Sequence, residues 1–174
     1  MILMRIIGAI IVIGASTAAG IYYGNIETYR LRDLLEFKKA LAILRSQIEY
    51  ARTPLPEATR LISVRVRESV GNVFAMFADL LTLQRNEQVA DLWAAAVETH
   101  GDGLFLSQED TERLKAFGAQ LGDLDSGAQV MNISMLIDYI DDCAAQLQES
   151  RGKNRKLYQS LGVLGGALLV IIFI

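Results

Sequence analysis

The stretch that decides the fold is DSGAQVMNISMLIDYIDDCAAQLQESRGKNRKLYQSLGVLGGALLVIIFI, residues 125–174. It begins as an amphipathic helix, because apolar residues recur at alternating spacings of three and four. These residues are Val130, Ile133, Ile137, Ile140, Ala144 and Leu147. The stretch ends in residues 157–174, a run of 18 without formal charge, which is at the lower limit for crossing a hydrocarbon core about 30 Å thick. The pattern predicts a bundle helix, a basic juxtamembrane segment over residues 151–156 and a C-terminal transmembrane helix over residues 157–174.

The N-terminal stretch is also predicted to span a membrane. Arg5 is followed by an uncharged run from Ile6 to Ile26, which is long enough to cross a bilayer. A cleaved signal peptide is the alternative, since an arginine, an apolar core and small residues are its usual ingredients. The apolar run continues beyond the usual length of such a core, so residues 1–26 are predicted to form an N-terminal transmembrane helix.

Small residues recur four positions apart in both apolar ends. They are Ser16, Gly20 and Gly24 in the first end and Gly162 and Gly166 in the last. This spacing lets membrane helices approach closely, so these residues are predicted to mediate helix packing. The alternative, that glycine is simply common in membrane helices, stays open.

Basic residues flank the region between the two predicted spans. Arg30, Arg32, Lys38 and Lys39 follow the first span, and Arg151, Lys153, Arg155 and Lys156 precede the second. Positively charged flanks favour the cytoplasmic side of a membrane, which predicts a cytoplasmic domain over residues 27–150. Every acidic residue of the chain lies between Glu27 and Glu149, and the formal net charge is −3. An acidic domain argues against nucleic acid as a partner.

The middle region is predicted to form six helices, because no stretch alternates with period two for long enough to indicate a strand. The predicted helices cover Leu34 to Ala51, Pro56 to about Val70, Val73 to about Arg85, a helix capped by Asn86, a helix from Ser107 to Gly122, and a last helix from Asp125. Gly71 is interpreted as the stop of the second helix, and Ser107 with Asp110 as a capping box for the fifth. The predicted fold is all-α, an antiparallel six-helix bundle between two transmembrane helices.

The sequence contains no pattern typical of a catalytic site. A phosphate-binding loop, a nucleophile elbow and a zinc-protease motif are all absent from the sequence. His100 is the only histidine and Cys143 the only cysteine. We interpret the first as a solvated helix-end residue and the second as a small packing residue. The prediction is therefore no catalytic residue, no cofactor and no metal site.

Carboxylates are concentrated in the second half of the middle region. Glu109 and Glu112 lie in the first turn of the predicted fifth helix, and Asp138, Asp141 and Asp142 lie on the sixth. They are predicted to form a partner-binding surface, with a merely solvated face as the alternative. The first half is basic, and such opposed charges suit docking between protein partners or between copies. Pairing of the two sets within the bundle is the other possibility.

Several stretches, in this order and at these distances, resemble the stage III sporulation protein AB family. They are IEYARTPLPEA at residues 48–58, LSQEDTERLKAFGAQLGDLD at residues 106–125, Gln129, and KLYQSLGVLGG at residues 156–166. The resemblance implies a soluble part similar to one cytoplasmic repeat of the inner-membrane platform protein of type II secretion systems. It also implies a non-enzymatic scaffold of the channel complex between mother cell and forespore.

The resemblance further implies where the protein works and with what. The expected place is the mother-cell membrane around the forespore, with the soluble domain facing the cytoplasm. The expected partners are a cytosolic sporulation ATPase, the channel and ring proteins of the same complex, and the lipid bilayer. A homo-oligomer is left open. The alternative function is a membrane-tethered helical signalling or adaptor protein unrelated to secretion.

Overall fold

The computed structural model describes residues 2–83, 87–119, 121–122 and 126–173, and in parts of the first and last helices it describes the backbone alone. These residues form six α-helices and one π-helical turn, without a strand among them. The elements are α1 (Ile2–Ser46), the π turn (Gln47–Ala51), α2 (Leu55–Ser63), α3 (Glu68–Leu83), α4 (Val89–Gly101), α5 (Gln108–Gly118) and α6 (Ser126–Phe173). The prediction of an all-α fold with six helices is confirmed.

The chain divides into two compact units. One unit, called the bundle below, covers Arg30–Ala145, and the other combines Met1–Tyr29 with Gln146–Ile174. Helices α1 and α6 each contribute residues to both units. In the described part of the chain, no helix contains a segment long and apolar enough to cross a membrane. The two transmembrane helices stay predictions from the sequence.

The terminal unit contains the small residues predicted to pack against each other. Gly20 and Gly24 are buried and Ser16 is half-buried. A Cβ atom placed on Gly165 would lie 4.0 Å from the Ser16 hydroxyl, so the two terminal segments adjoin at this level. The structure describes only the backbone at the other two predicted packing residues, Gly162 and Gly166. The same is true of the basic residues Arg151, Lys153, Arg155 and Lys156. The packing role stays a prediction.

Neighbouring helices of the bundle run in opposite directions. On α1 and α6, Lys38 Nζ lies 2.6 Å from Asp141 Oδ1, whereas the later Arg45 donates a hydrogen bond to the earlier Ser134 at 3.4 Å. Helices α2 and α3 are antiparallel in the same way, because Arg60 contacts Asp79 whereas the later Ser63 contacts the earlier Gly71. Helices α4 and α5 are also antiparallel, because Trp93 contacts Gly118 whereas the later Glu98 contacts the earlier Lys115.

Most of the apolar positions predicted to face inward form the core. The buried members are Leu34, Phe37, Leu41, Leu44, Ile48, Val73, Phe77, Leu92, Trp93, Ala96, Val97, Leu114, Phe117, Leu121, Ile133, Ile137, Ile140, Ala144 and Leu147. Leu80, Leu81, Val89 and Val130 are half-buried, and Ala51, at the end of the predicted first helix, is exposed in the π turn. Helical periodicity therefore located the buried face of each long helix, because one face of such a helix must leave water.

Two predicted helix boundaries are wrong. The second helix was predicted to run to about Val70, but α2 ends at Ser63 and α3 begins at Glu68. Gly71, predicted as the stop, is buried inside α3, where an added Cβ would lie 2.5 Å from the Ser63 carbonyl oxygen. Gly71 therefore allows α2 and α3 to approach closely, and it does not end a helix.

Other ends of helices also differ from the prediction. Helix α1 is continuous from Ile2 and does not begin near Leu34. It is followed by the π turn, after which Arg52 has a left-handed backbone with φ 49°. Helix α5 ends at Gly118, four residues before Gly122. The predicted cap Asn86 lies outside the described residues.

Candidate functional site

The first turn of α5 is fixed by the capping box that the sequence predicts. The Asp110 N–H donates to Ser107 Oγ at 3.2 Å, and the Ser107 N–H donates to Asp110 Oδ2 at 2.8 Å. These reciprocal bonds satisfy backbone donors that have no partner inside the helix. The cap thereby sets where α5 begins and which of its side chains point outward.

The carboxylate of Asp110 has a second role that sequence analysis missed. It is fully buried, and it accepts hydrogen bonds from Arg30 Nε at 2.7 Å and from the second Arg30 nitrogen at 2.9 Å. Tyr139 also donates its hydroxyl to Asp110 Oδ1 at 2.8 Å. One carboxylate therefore joins α1, α5 and α6. The signal in the sequence was Arg30 itself, which lies four residues before Leu34 and therefore on the same helical face as this apolar residue, with a charge that needs a partner.

The ionisation of this cluster follows from its contacts. Burial opposes the charge on Asp110, but the hydrogen bonds from Arg30, from the Ser107 N–H and from Tyr139 together lower the pKa of this carboxyl below its ordinary value. Burial raises the pKa of the Tyr139 hydroxyl, and its hydrogen bonds with Cys143 and Asp110 raise it further. At neutral pH the cluster therefore contains an ionised carboxylate, a neutral phenol and the Arg30 guanidinium.

The same contacts place the predicted acidic residues in neighbouring turns. Asp110 bonds to Tyr139, whereas the later Phe117 carbonyl accepts from the earlier Asn132 at 3.3 Å, so α5 and α6 are antiparallel. The first turn of α5 therefore lies beside the turn of α6 that contains residues 138–142. All five predicted residues are exposed: Glu109, Glu112, Asp138, Asp141 and Asp142. They are called the acidic surface below.

Cations within the bundle neutralise only part of the acidic surface. Asp141 pairs with Lys38 at 2.6 Å, and Glu109 pairs with Arg113 at 3.5 Å on the same helix. The remaining carboxylates, Glu112, Asp138 and Asp142, form no ion pair with any residue that the structure describes. Pairing within the bundle therefore accounts for two residues of the acidic surface and leaves three without an ion pair, of which Glu112 is still attracted by the charge of Lys115.

Helix α5 is held on the core by Trp93. The indole N–H donates to the Leu114 carbonyl at 2.5 Å, and the ring lies edge-on to Phe117 at a centroid distance of 5.8 Å. A Cβ atom on Gly118 would lie 2.2 Å from Trp93 Cδ1, so only glycine leaves room for the indole. Gly118 was not among the predicted residues, although a glycine inside the predicted fifth helix is a signal of close packing.

No metal-binding arrangement accompanies the acidic surface in the described part of the chain, where no group of three or more His, Cys, Asp or Glu side chains could hold an ion. His100 lies half-buried in the last turn of α4, and Cys143 lies half-buried on α6 as a free thiol. Both positions are compatible with the packing and helix-end roles expected from the sequence.

Comparison with known proteins identifies the family. The family model described as stage III sporulation protein AB matches residues 5–174. The chain belongs to the stage III sporulation protein AB family. Stage III sporulation protein AB of Bacillus subtilis (strain 168) is 29% identical over 170 residues, which cover 98% of this chain and 99% of that protein. The resemblance read from the sequence is thus confirmed.

A solved structure supports the same conclusion. The structure titled stage III sporulation protein AB (SpoIIIAB) matches with a TM-score of 0.67 and 26% sequence identity, covering 72% of this chain and 98% of that chain. The stage III sporulation protein AB family is named for a stage of sporulation and not for a reaction.

Proposed function

We propose that this member of the stage III sporulation protein AB family is a non-enzymatic membrane scaffold of the channel complex between mother cell and forespore. It docks a cytosolic sporulation ATPase and other channel subunits. The observation that carries the proposal is the acidic surface, where Glu112, Asp138 and Asp142 are exposed without an ion-pair partner among the described residues. Uncompensated charges at a surface speed encounter with a partner of opposite charge and reject partners of like charge.

The acidic surface is held rigidly, as a docking surface requires. Asp110 fastens the first turn of α5 to Arg30 and Tyr139, and Arg113 lies over the Tyr139 ring at 4.9 Å from its centroid. The carboxylates on α5 and on α6 therefore keep a fixed spacing. A basic partner surface that binds the carboxylates of either helix does not have to order them first, which lowers the entropic cost of binding.

The longest helix links the acidic surface to the predicted membrane anchor. Helix α6 runs without a break from Ser126 to Phe173, so the carboxylates of residues 138–142 and the uncharged residues 157–173 belong to one helix. We place residues 1–26 and 157–174 in the mother-cell membrane because of their uncharged runs, and the bundle in the cytoplasm because of the basic flanks. A protein bound at Asp138 would then be tethered to the membrane by the same helix.

The proposed orientation can be tested by cysteine labelling in sporulating cells. Gly103 is exposed in the turn after α4, and the nearest atom to an added Cβ is 3.5 Å away, so cysteine fits there. The variant Gly103→Cys, with Cys143→Ala, should react with a membrane-impermeant maleimide only after the membrane is opened. Labelling in intact cells would place the bundle on the other side, where a cytosolic ATPase cannot reach it.

The proposed docking can be tested by charge reversal on α5. The double variant Glu109→Lys and Glu112→Lys should lower co-purification of the sporulation ATPase at least tenfold, because repulsion replaces attraction. The matched control is Glu49→Lys with Asp102→Lys, which changes the net charge equally at exposed positions on other elements. Equal recovery of the ATPase with both double variants would remove the acidic surface from the proposal.

A further inference from the structure

The turn between α2 and α3 exposes apolar and basic side chains together. Val64 is 80% exposed, and Arg65 and Arg67 are also exposed. Neither arginine forms an ion pair with a residue that the structure describes. Val64 precedes both arginines, and the Glu36 carboxylate accepts a hydrogen bond from the Arg67 backbone N–H at 3.0 Å. An exposed aliphatic side chain beside two arginines without ion pairs is typical of a contact site rather than of a plain solvated turn.

A groove adjoins this turn. An open cavity of about 630 Å³ is lined by α2 and α3 residues that include Leu61, Val64, Arg65 and Thr82. A second cavity of about 490 Å³ shares Thr82 and continues toward α4. Leu83, next along α3, is 79% exposed. The floor is largely apolar, and its carboxylates include Glu57, which lines both cavities.

Helix α6 presents a stripe of complementary character. Met131, Met135, Asp138 and Asp142 are spaced by four, three and four residues and are all exposed, so they lie along one face of the helix. The methionines are 66% and 62% exposed. The stripe is apolar at one end and acidic at the other, whereas the groove on α2 and α3 is apolar along its floor and basic at the turn.

We propose that copies of this chain associate head to tail, with the α6 stripe of one copy in the α2 and α3 groove of the next. The methionines would cover Leu61 and Val64, and Asp138 and Asp142 would pair with Arg65 and Arg67. Asp138 and Asp142 lie on α6, whereas Arg65 and Arg67 lie in the turn between α2 and α3. None of the four forms an ion pair with a residue that the structure describes, and a second copy supplies a partner to each. Because the two contacting surfaces differ, the association extends into a ring or an open array rather than stopping at a symmetric dimer.

This inference rests on the proposed scaffold function and names a second occupant for part of its acidic surface. The α6 part of that surface binds a neighbouring copy, and the α5 part, Glu109 and Glu112, stays free for the ATPase. An array of copies would present these exposed carboxylates repeatedly, which strengthens the binding of an oligomeric partner through multivalency.

Charge exchange tests the association on the full chain in detergent, by sedimentation equilibrium. The wild-type chain should show a mass that rises with protein concentration. Variant A, Arg65→Glu with Arg67→Glu, and variant B, Asp138→Arg with Asp142→Arg, should each associate at least tenfold more weakly when alone. An equimolar mixture of A and B should associate again, because the stripe of each variant then meets a groove of opposite charge in the other.

Each outcome decides the inference. Helical circular dichroism and the fluorescence of Trp93, the only tryptophan, should match the wild type in both variants, and restored association in the mixture independently shows that both are folded. A wild-type chain that stays monomeric at every concentration, or a mixture no better associated than its components, would overturn the proposal. The ATPase experiment with Glu109 and Glu112 uses other residues, so its failure would leave the self-association result standing.

Discussion

Replacing Asp110 by asparagine should destabilise the bundle far more than its small change in shape suggests. The side chain keeps an oxygen that can accept from the Ser107 N–H, but it loses the charge that faces Arg30 at 2.7 and 2.9 Å. Removing one member of a buried ion pair costs about 3–5 kcal/mol, because the other charge is left without compensation. The Arg30 side chain is 26% exposed and keeps some hydration, which places the expected loss near the lower limit, about 3 kcal/mol.

The assay is equilibrium urea unfolding of the full chain in detergent, followed by the fluorescence of Trp93. Since the chain contains one tryptophan, buried in the core, the signal reports the bundle. With a slope of about 1–3 kcal/mol per molar urea, a loss of about 3 kcal/mol lowers the midpoint by about 1–3 M. The matched control is Asp141→Asn, which breaks the Lys38 pair at 2.6 Å, where both side chains are more than a third exposed.

The two variants together test whether burial makes the pairing of Asp110 more stabilising than an exposed ion pair. An exposed pair contributes at most about 1 kcal/mol, so Asp141→Asn should leave the midpoint nearly unchanged. Equal losses in the two variants, or a loss below about 1 kcal/mol for Asp110→Asn, would refute the view that burial of this carboxylate makes its pairing essential to the bundle.

Three further predictions concern stability. Gly118→Ala should cost about 1–3 kcal/mol or more and shift the emission of Trp93, because the new methyl group would lie 2.2 Å from the indole; unchanged emission and stability would contradict this contact. Gly71→Ala should also lower the unfolding midpoint, since its Cβ would lie 2.5 Å from a backbone oxygen. The control Gly103→Ala, whose Cβ has its nearest atom at 3.5 Å, should leave the midpoint unchanged. Similar midpoints for these two variants would argue against the close crossing of α2 and α3. The pKa of the Asp110 carboxyl is lowered from 3.8, so its stabilising contribution is present above that pH and is lost as the pH falls through the lower folded-state pKa. Acid unfolding curves of the wild type and of Asp110→Asn should therefore converge below pH 3.8. A constant difference in stability between the two would contradict a lowered pKa for Asp110.

Periodicity predicted the elements of this fold better than their ends. The stripe predicted from Val130 to Leu147 is half-buried at Val130 and buried from Ile133 onward, because alternating spacings of three and four define one helical face. The capping box at Ser107 and Asp110 was also predicted correctly, since both partners lie within four residues. Such features depend on local spacing alone, which the sequence displays directly.

The errors and omissions involve residues whose role depends on a distant partner. Gly71 was interpreted as a helix stop, yet its lack of a side chain is required by Ser63 on another helix. Gly118 was overlooked because its partner, Trp93, is 25 residues earlier in the sequence. The role of Arg30 depends on a carboxylate 80 residues away. Local patterns cannot reveal these pairs, because only the folded helices bring them together.

The candidate site shows the same division. Sequence analysis identified the acidic residues on α5 and α6 and left open whether they pair within the bundle. The antiparallel contact through Asp110 and Tyr139 puts their turns side by side, and the ion pairs show that Asp141 and Glu109 are compensated. The exposed groove beside Val64 was not foreseen, because a helix was predicted across the turn that forms it.

Photo-crosslinking from the acidic surface tests the proposed scaffold function most directly. A photoreactive phenylalanine analogue at Glu112 would be activated in sporulating cells, with the same analogue at Glu87, exposed in the turn before α4, as the control. The proposal predicts an adduct between this chain and the sporulation ATPase from position 112 and none from position 87. An ATPase adduct of equal yield from both positions, or adducts from position 112 that never contain the ATPase, would contradict it.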